Sequence, residues 1–224
     1  MNQYTLLSLS YPVNWAIRRD PVFRLLDDEK WADNFFKTGE LLISCFDKFK
    51  NYPDEMQGDK EEGEAFIGGE DAAGNQHFIL YDSGNNAFIM STTTRIDKQV
   101  VDDFKAKCAI KINNPTEFAL EVAKKLPFAL GGIEGSCVYD EHRILNFKKK
   151  MEEYAFFKDG KFVNDRLGRD AFREQTREYE LFLKREKYKH QNEYRFVWFT
   201  DKIVKDSYIV QCPEAIEFCE KIKI

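Results

Sequence analysis

At 224 residues with a net charge of -5 and a charged fraction of 33%, the chain is long enough for one large domain spanning 1–224, and its charge gives no support for a nucleic-acid coat or a polybasic membrane anchor. No apolar run approaches the ~20 residues that cross a bilayer, and the start, Met1 to Ser10, lacks the basic and apolar parts of a secretory leader. The five scattered cysteines read as reduced thiols of a cytoplasmic protein, and the three histidines share no zinc-ligand spacing with them.

Residues 4–10 read as a first strand, ended by Pro12. Arg18 and Arg19 follow in a short connection stopped by Pro21, as a solvated turn or an anion contact. Asp27 or Asp28 can cap a helix through about Lys37, and Gly39 ends it. Leu41 to Phe46 is a continuous apolar run, expected to be central in a sheet, and it carries Ser44. Asp54 to Glu64 holds six acidic residues in eleven. A solvated loop is the default expectation, and a magnesium-binding cluster the alternative.

His77 to Tyr81 and Ala87 to Met90 flank Ser83-Gly84-Asn85-Asn86, which predicts a hairpin. The second strand runs into Ser91-Thr92-Thr93-Thr94. Those hydroxyls are β-branched strand filler with a helix cap, or a polar shelf for a ligand. Helices are expected at 98–107 and 114–126, the second capped by Asn114 with Pro115 at its first position. A strand, Cys108 to Ile112, lies between them. Gly131 to Ser136 is glycine-rich and expected to precede a strand at Cys137 to Tyr139. It lacks the dinucleotide fingerprint, and no Walker loop occurs. Residues 142–153 read as a helix or loop, and Asp159-Gly160 as a local turn. A long helix is predicted from Asp170 to about Lys187. The stretch Arg166 to Lys189 has eight bases against five acids, a local positive field or a solvated face. An aromatic strand follows, then a strand at Tyr208 to Cys212 and a final helix from Pro213 to about Lys221.

The junction before the aromatic strand carries most of the chemistry. Alternation places Gln191, Glu193 and Arg195 on one strand face, with Tyr194, Phe196 and Trp198 on the other. The set is a polar strand end reaching solvent or a site at the sheet edge. Mixed elements without regular alternation, with hairpin signals, predict an α+β fold: a mixed, largely antiparallel sheet with flanking helices.

Gln191-Asn192-Glu193 resembles the Gln-x-Glu signature of ADP-ribosyltransferases, and Ser91-Thr92-Thr93 is similar to their Ser-Thr-Ser strand. A second resemblance covers roughly residues 40–200. The Leu-Ile-Ser strand, Asp59 to Gly63, Val138-Tyr139 and Tyr188 to Arg195 together resemble a bacterial family of unknown function suspected of an ADP-ribosyltransferase-like fold. The resemblance implies NAD as co-substrate. Glu193 would stabilise an oxocarbenium-like ribose and Gln191 would orient the acceptor. Ser91 and Thr93 would brace the glutamate or ribose, with Ser44 also at a strand end. Tyr188 would stack on a ring, and Arg18 or Arg195 would meet a phosphate. The acceptor stays open among protein, nucleic acid and nucleotide. The alternatives are a non-enzymatic interaction or sensor module of a bacterial defence or toxin system, with a protein partner, and a metal-dependent nuclease on Asp54, Asp59 and Glu62.

Overall fold

The computed structural model describes residues 20–53, 58–176 and 178–224, with the backbone of 5–8. Arg18, Arg19 and Asp54 lie outside the described residues. In chain order the strands are β1 (Thr5–Ser8), β2 (Val22–Leu26), β3 (Glu40–Cys45), β4 (Glu64–Glu70), β5 (Gln76–Asp82), β6 (Ala87–Thr93), β7 (Cys108–Ile112), β8 (Ala129–Ser136), β9 (Val138–Tyr139), β10 (Ile144–Asn146), β11 (Phe157–Lys158), β12 (Lys161–Phe162), β13 (Leu183–Lys184), β14 (Glu193–Thr200), β15 (Tyr208–Gln211) and β16 (Cys219–Lys223). The helices are α1 (Glu29–Thr38), α2 (Phe46–Lys50), α3 (Lys98–Phe104), α4 (Pro115–Lys125) and α5 (Arg166–Thr176). The fold is α+β with a mainly antiparallel sheet in the order β1-β8-β14-β6-β2-β7-β16. β3 joins the apolar end of β6 and pairs with β15 on its other edge. No described helix is long and apolar enough to cross a membrane.

The centre of that sheet is β14 between β8 and β6. Its two faces enter two cores. Tyr194, Phe196 and Trp198 join Phe88, Met90 and Phe118 under α1 and α4. The Trp198 indole nitrogen donates to the Ala119 carbonyl at 3.0 Å, so the large ring is buried without an orphan donor. On the opposite face Val197 packs with Ile89, Ile133, Phe46 and Leu181. Each such fully buried large side chain contributes about 1.5–3 kcal/mol. β8 can lie this close to β14 because Gly132 has no side chain: a Cβ there would sit 2.3 Å from the Val197 carbonyl oxygen.

Local signals hold where capping chemistry is explicit. Asp28 caps α1 by accepting from the Lys30 amide, and Gly39 ends it at φ 75. Asn114 caps α4 with Pro115 at its first turn. Asp159 and Gly160, both at positive φ, turn β11 into β12.

Five expectations fail. The turn at Ser83 to Asn86 forms, but β5 and β6 do not pair. β5 alternates half-buried and exposed residues and pairs with β4. β6 is buried on nearly every residue and therefore belongs at the sheet centre. The glycine-rich piece is itself the strand β8, because close approach to β14 demands small residues. The long helix from Asp170 stops at Thr176. Leu181, Phe182 and Leu183 are all buried, and a surface helix cannot bury three consecutive residues. The terminal helix is a short 3-10 turn, Pro213–Phe218, followed by β16 on the edge of β7. The acidic loop is not solvated throughout: Asp59 and Glu62 are buried.

Candidate functional site

The β14 face that is apolar at Val197 becomes charged at Arg195 and Glu193. Arg195 lies opposite Ser91 and Glu193 opposite Thr93 on β6. Directly opposed residues share a face, so the hydroxyl run meets the carboxylate. Ser91 Oγ donates to Glu193 Oε1 at 2.6 Å, and Arg195 Nε donates to the same oxygen at 2.7 Å. Lys184 Nζ donates to Glu193 Oε2 at 2.7 Å and to Gln191 Oε1 at 3.0 Å. The Glu193 amide donates to the Tyr139 hydroxyl at 2.8 Å.

Two very short strands build this geometry. β13 pairs parallel with β9, setting Lys184 abreast of Tyr139. Lys184 and Tyr139 therefore approach Glu193 together, one at the side chain and one at the backbone. Gln191 is not on the strand as alternation predicts. It ends a 3-10 turn, Glu186–Gln191, and Asn192 at φ 45 intervenes before β14 begins. Gln191 still joins Glu193, but through the shared Lys184 ammonium. Thr93 holds the Gln191 segment rather than the carboxylate: its hydroxyl lies 2.7 Å from the Gln191 carbonyl and 2.8 Å from that of Arg95.

Glu62 completes the cluster. Arg195 Nη1 approaches Glu62 Oε1 to 2.5 Å as an ion pair, without the alignment of a hydrogen bond. The same nitrogen donates to the Leu181 carbonyl. Two carboxylates and two cations are thus buried together, which leaves no net charge in a region where an isolated ion is very costly. Burial favours the neutral acid of Glu193, but Arg195 and Lys184 overcome it and hold this carboxyl well below the ordinary range. Glu62 is shifted upward, because burial, with repulsion from Glu193 and Asp59, outweighs attraction to Arg195 and Lys184. Burial also raises the Cys137 thiol and the Tyr139 phenol, so both stay protonated at neutral pH.

Glu193 and Gln191 border a small cavity of about 70 Å³. Its polar wall also includes Ser91, Thr93, Lys184 and Glu62, and its apolar wall Phe23, Leu25, Phe49 and Phe104. Arg195 stands behind Glu193 and does not line it. Tyr188 is buried and not in this wall, with the Lys184 and Lys187 ammonium groups each 4.7 Å from its ring centroid. Its face is thus occupied by cations. Ser44 lies opposite Ile89, two residues along β6 from Ser91, with its hydroxyl 3.4 Å from that of Ser207. It is not part of the cavity wall. Asp59 is committed to Arg143 at 3.0 Å, and among the described residues no group of three or more His, Cys, Asp or Glu side chains is placed to hold a metal ion.

Lys184, Tyr139 and Glu62 are the three members that sequence reasoning did not assign to this site, Glu62 having been read only for the nuclease alternative. Tyr139 was visible within the Val138-Tyr139 element of the resemblance. The signal for Lys184 was the run Leu181-Phe182-Leu183 immediately before it, which marks a buried segment and carries the lysine inward. Comparison with known proteins found no matching family model, no matching curated protein and no matching solved structure.

Proposed function

We propose that the Glu193 cavity is an NAD-dependent ADP-ribosyltransferase-like site. The observation that carries the reading is the Ser91 to Glu193 hydrogen bond of 2.6 Å on adjacent strands, which joins the hydroxyl run and the Gln-x-Glu pair in one place. Several short segments converge on the same point: Glu62 from the acidic loop, Tyr139, Gln191, Glu193 and Arg195. In this reading the bond between the ribose carbon and nicotinamide breaks, and the electron pair leaves with nicotinamide. The ribose becomes oxocarbenium-like, and an ionised carboxylate fixed nearby stabilises that charge. Arg195 and Lys184 keep Glu193 ionised and fix its orientation. Gln191 stands beside it to orient an acceptor, which is protein, nucleic acid, nucleotide or water. At about 70 Å³ the cavity is smaller than a dinucleotide or its nicotinamide ribose, so this reading requires the site to widen on binding.

A second reading has its own observation. The cluster is balanced in charge and almost wholly buried, with Arg195 1% and Glu193 6% exposed. The same geometry suits a non-enzymatic interaction or sensor module, in which the four charged groups only fix the fold. Nicotinamide release from NAD by the wild type and by Glu193→Gln separates the two. Release that disappears in a folded Glu193→Gln protein supports the enzyme, whereas no release by the wild type supports the module.

A further inference from the structure

A second pocket, of about 170 Å³, shares no wall residue with the Glu193 cavity and lies between the turn at Ser83 to Asn86, the end of β14 and the 3-10 turn Tyr179–Phe182. Its wall contains Glu180, which is 1% exposed. Ser83 donates its hydroxyl to Glu180 Oε1 at 2.6 Å. Glu180 Oε2 has no hydrogen-bond partner among the described residues. That oxygen is unsatisfied in either protonation state: ionised it lacks a donor, and protonated it lacks an acceptor. A buried polar atom left so is costly. The chain supplies no partner, and the adjoining pocket has room for one.

The charges around it select the kind of partner. From the turn leading into Tyr179, the half-buried Glu178 carboxylate faces the same pocket, and from α5 so does Arg173, whose Nε donates to the Tyr81 hydroxyl of β5 at 3.4 Å. Two carboxylates thus stand against one guanidinium, whose hydrogen bond to the neutral Tyr81 phenol leaves its charge available, so one negative charge stays uncompensated when both carboxyls are ionised. Leu130, Leu181 and Phe199 form an apolar side. We propose that this pocket binds a small primary alkylammonium compound, with its N–H groups on Glu180 and Glu178 and its alkyl part on Leu130 and Phe199. The chemistry that recognises it is a charge-assisted hydrogen bond at one end and an apolar wall at the other. Burial raises the Glu180 carboxyl to about 7, so the ligand, which needs the ionised form, binds better as pH rises through neutrality.

The test is a titration of the isotope-labelled full chain with n-propylammonium chloride at about pH 8, followed by amide chemical shifts, with n-propanol and sodium chloride as controls. The expected result is a saturable shift at the Ser83, Glu178 and Glu180 amides that neither control reproduces. Glu180→Gln weakens binding by at least about tenfold. Glu178→Gln weakens it severalfold, and this variant of a half-buried turn residue carries the test if Glu180→Gln does not fold. Absence of a saturable shift up to about 100 mM overturns the proposal, the pocket then holding water alone. Equal shifts with n-propanol or sodium chloride overturn it as well.

Discussion

Arg195 and Glu193, two residues apart on one strand, form a buried ion pair with Nε and Oε1 2.7 Å apart. The guanidinium also faces Glu62, from the loop that precedes β4. One cation therefore serves two buried carboxylates. Replacing it strands both with only Lys184 for compensation. Arg195→Met is expected to destabilise the protein by about 3–5 kcal/mol, as for other buried pairs broken on one side. Urea denaturation measures the loss, and Arg195→Lys should recover part of it, since it restores the charge without the planar fork.

Tyr139 accepts the Glu193 amide hydrogen and so fixes where β14 begins. Tyr139→Phe keeps the ring and leaves that donor without its acceptor. The expected cost is about 1–3 kcal/mol. Hydrogen exchange at the Glu193 amide should accelerate, while exchange at Val197, in the middle of the strand, changes only with global stability.

Two buried carboxyls give opposite pH dependences. The Glu193 carboxyl is depressed in the folded state, so its contribution is present above the unfolded value of about 4.3 and is lost as pH falls toward the folded one. The Glu180 carboxyl is raised to about 7 in the folded state. Its contribution is present below about 4.3 and is lost as pH rises through the folded value. From pH 5 to 8 this group should lower stability by roughly 2 kcal/mol. Glu180→Gln removes the titration, so its urea midpoint should change less over that window than that of the wild type.

Gly132→Ala should disturb the sheet centre, because its Cβ would meet the Val197 carbonyl at 2.3 Å. Overpacking of this kind costs about 1–3 kcal/mol. β14 must shift to relieve it, so loss of melting temperature and loss of any Glu193-dependent activity should appear together.

How much of this was legible in the sequence depended on how local the signal was. Caps at Asp28 and Asn114, the stop at Gly39 and the aromatic face of Tyr194 to Trp198 depend on neighbouring residues, and they were readable. The pairing of β5 was not, since a good turn does not decide which strands become neighbours when another partner buries more. The site was half legible. Gln191, Glu193, Arg195 and the hydroxyl at Ser91 were singled out, and the structure brings them together. Lys184 was hidden by reading its segment as a continuation of α5. Glu62 was read as a carboxylate of the acidic run for the nuclease alternative and not as a neighbour of Glu193, because the ion pair that places it there is with Arg195, far away in sequence. Ser44 shows the converse. A hydroxyl near a strand end is a weak indicator of a site, because strand register decides where it arrives.

The most direct test of the central claim is a crystal structure of the protein grown with NAD. The nicotinamide ribose is expected against Glu193 and Ser91, with the cavity widened between Phe49 and Phe104. Dinucleotide absent at saturating NAD, with Lys184 still closed on Glu193 and Gln191, would contradict it.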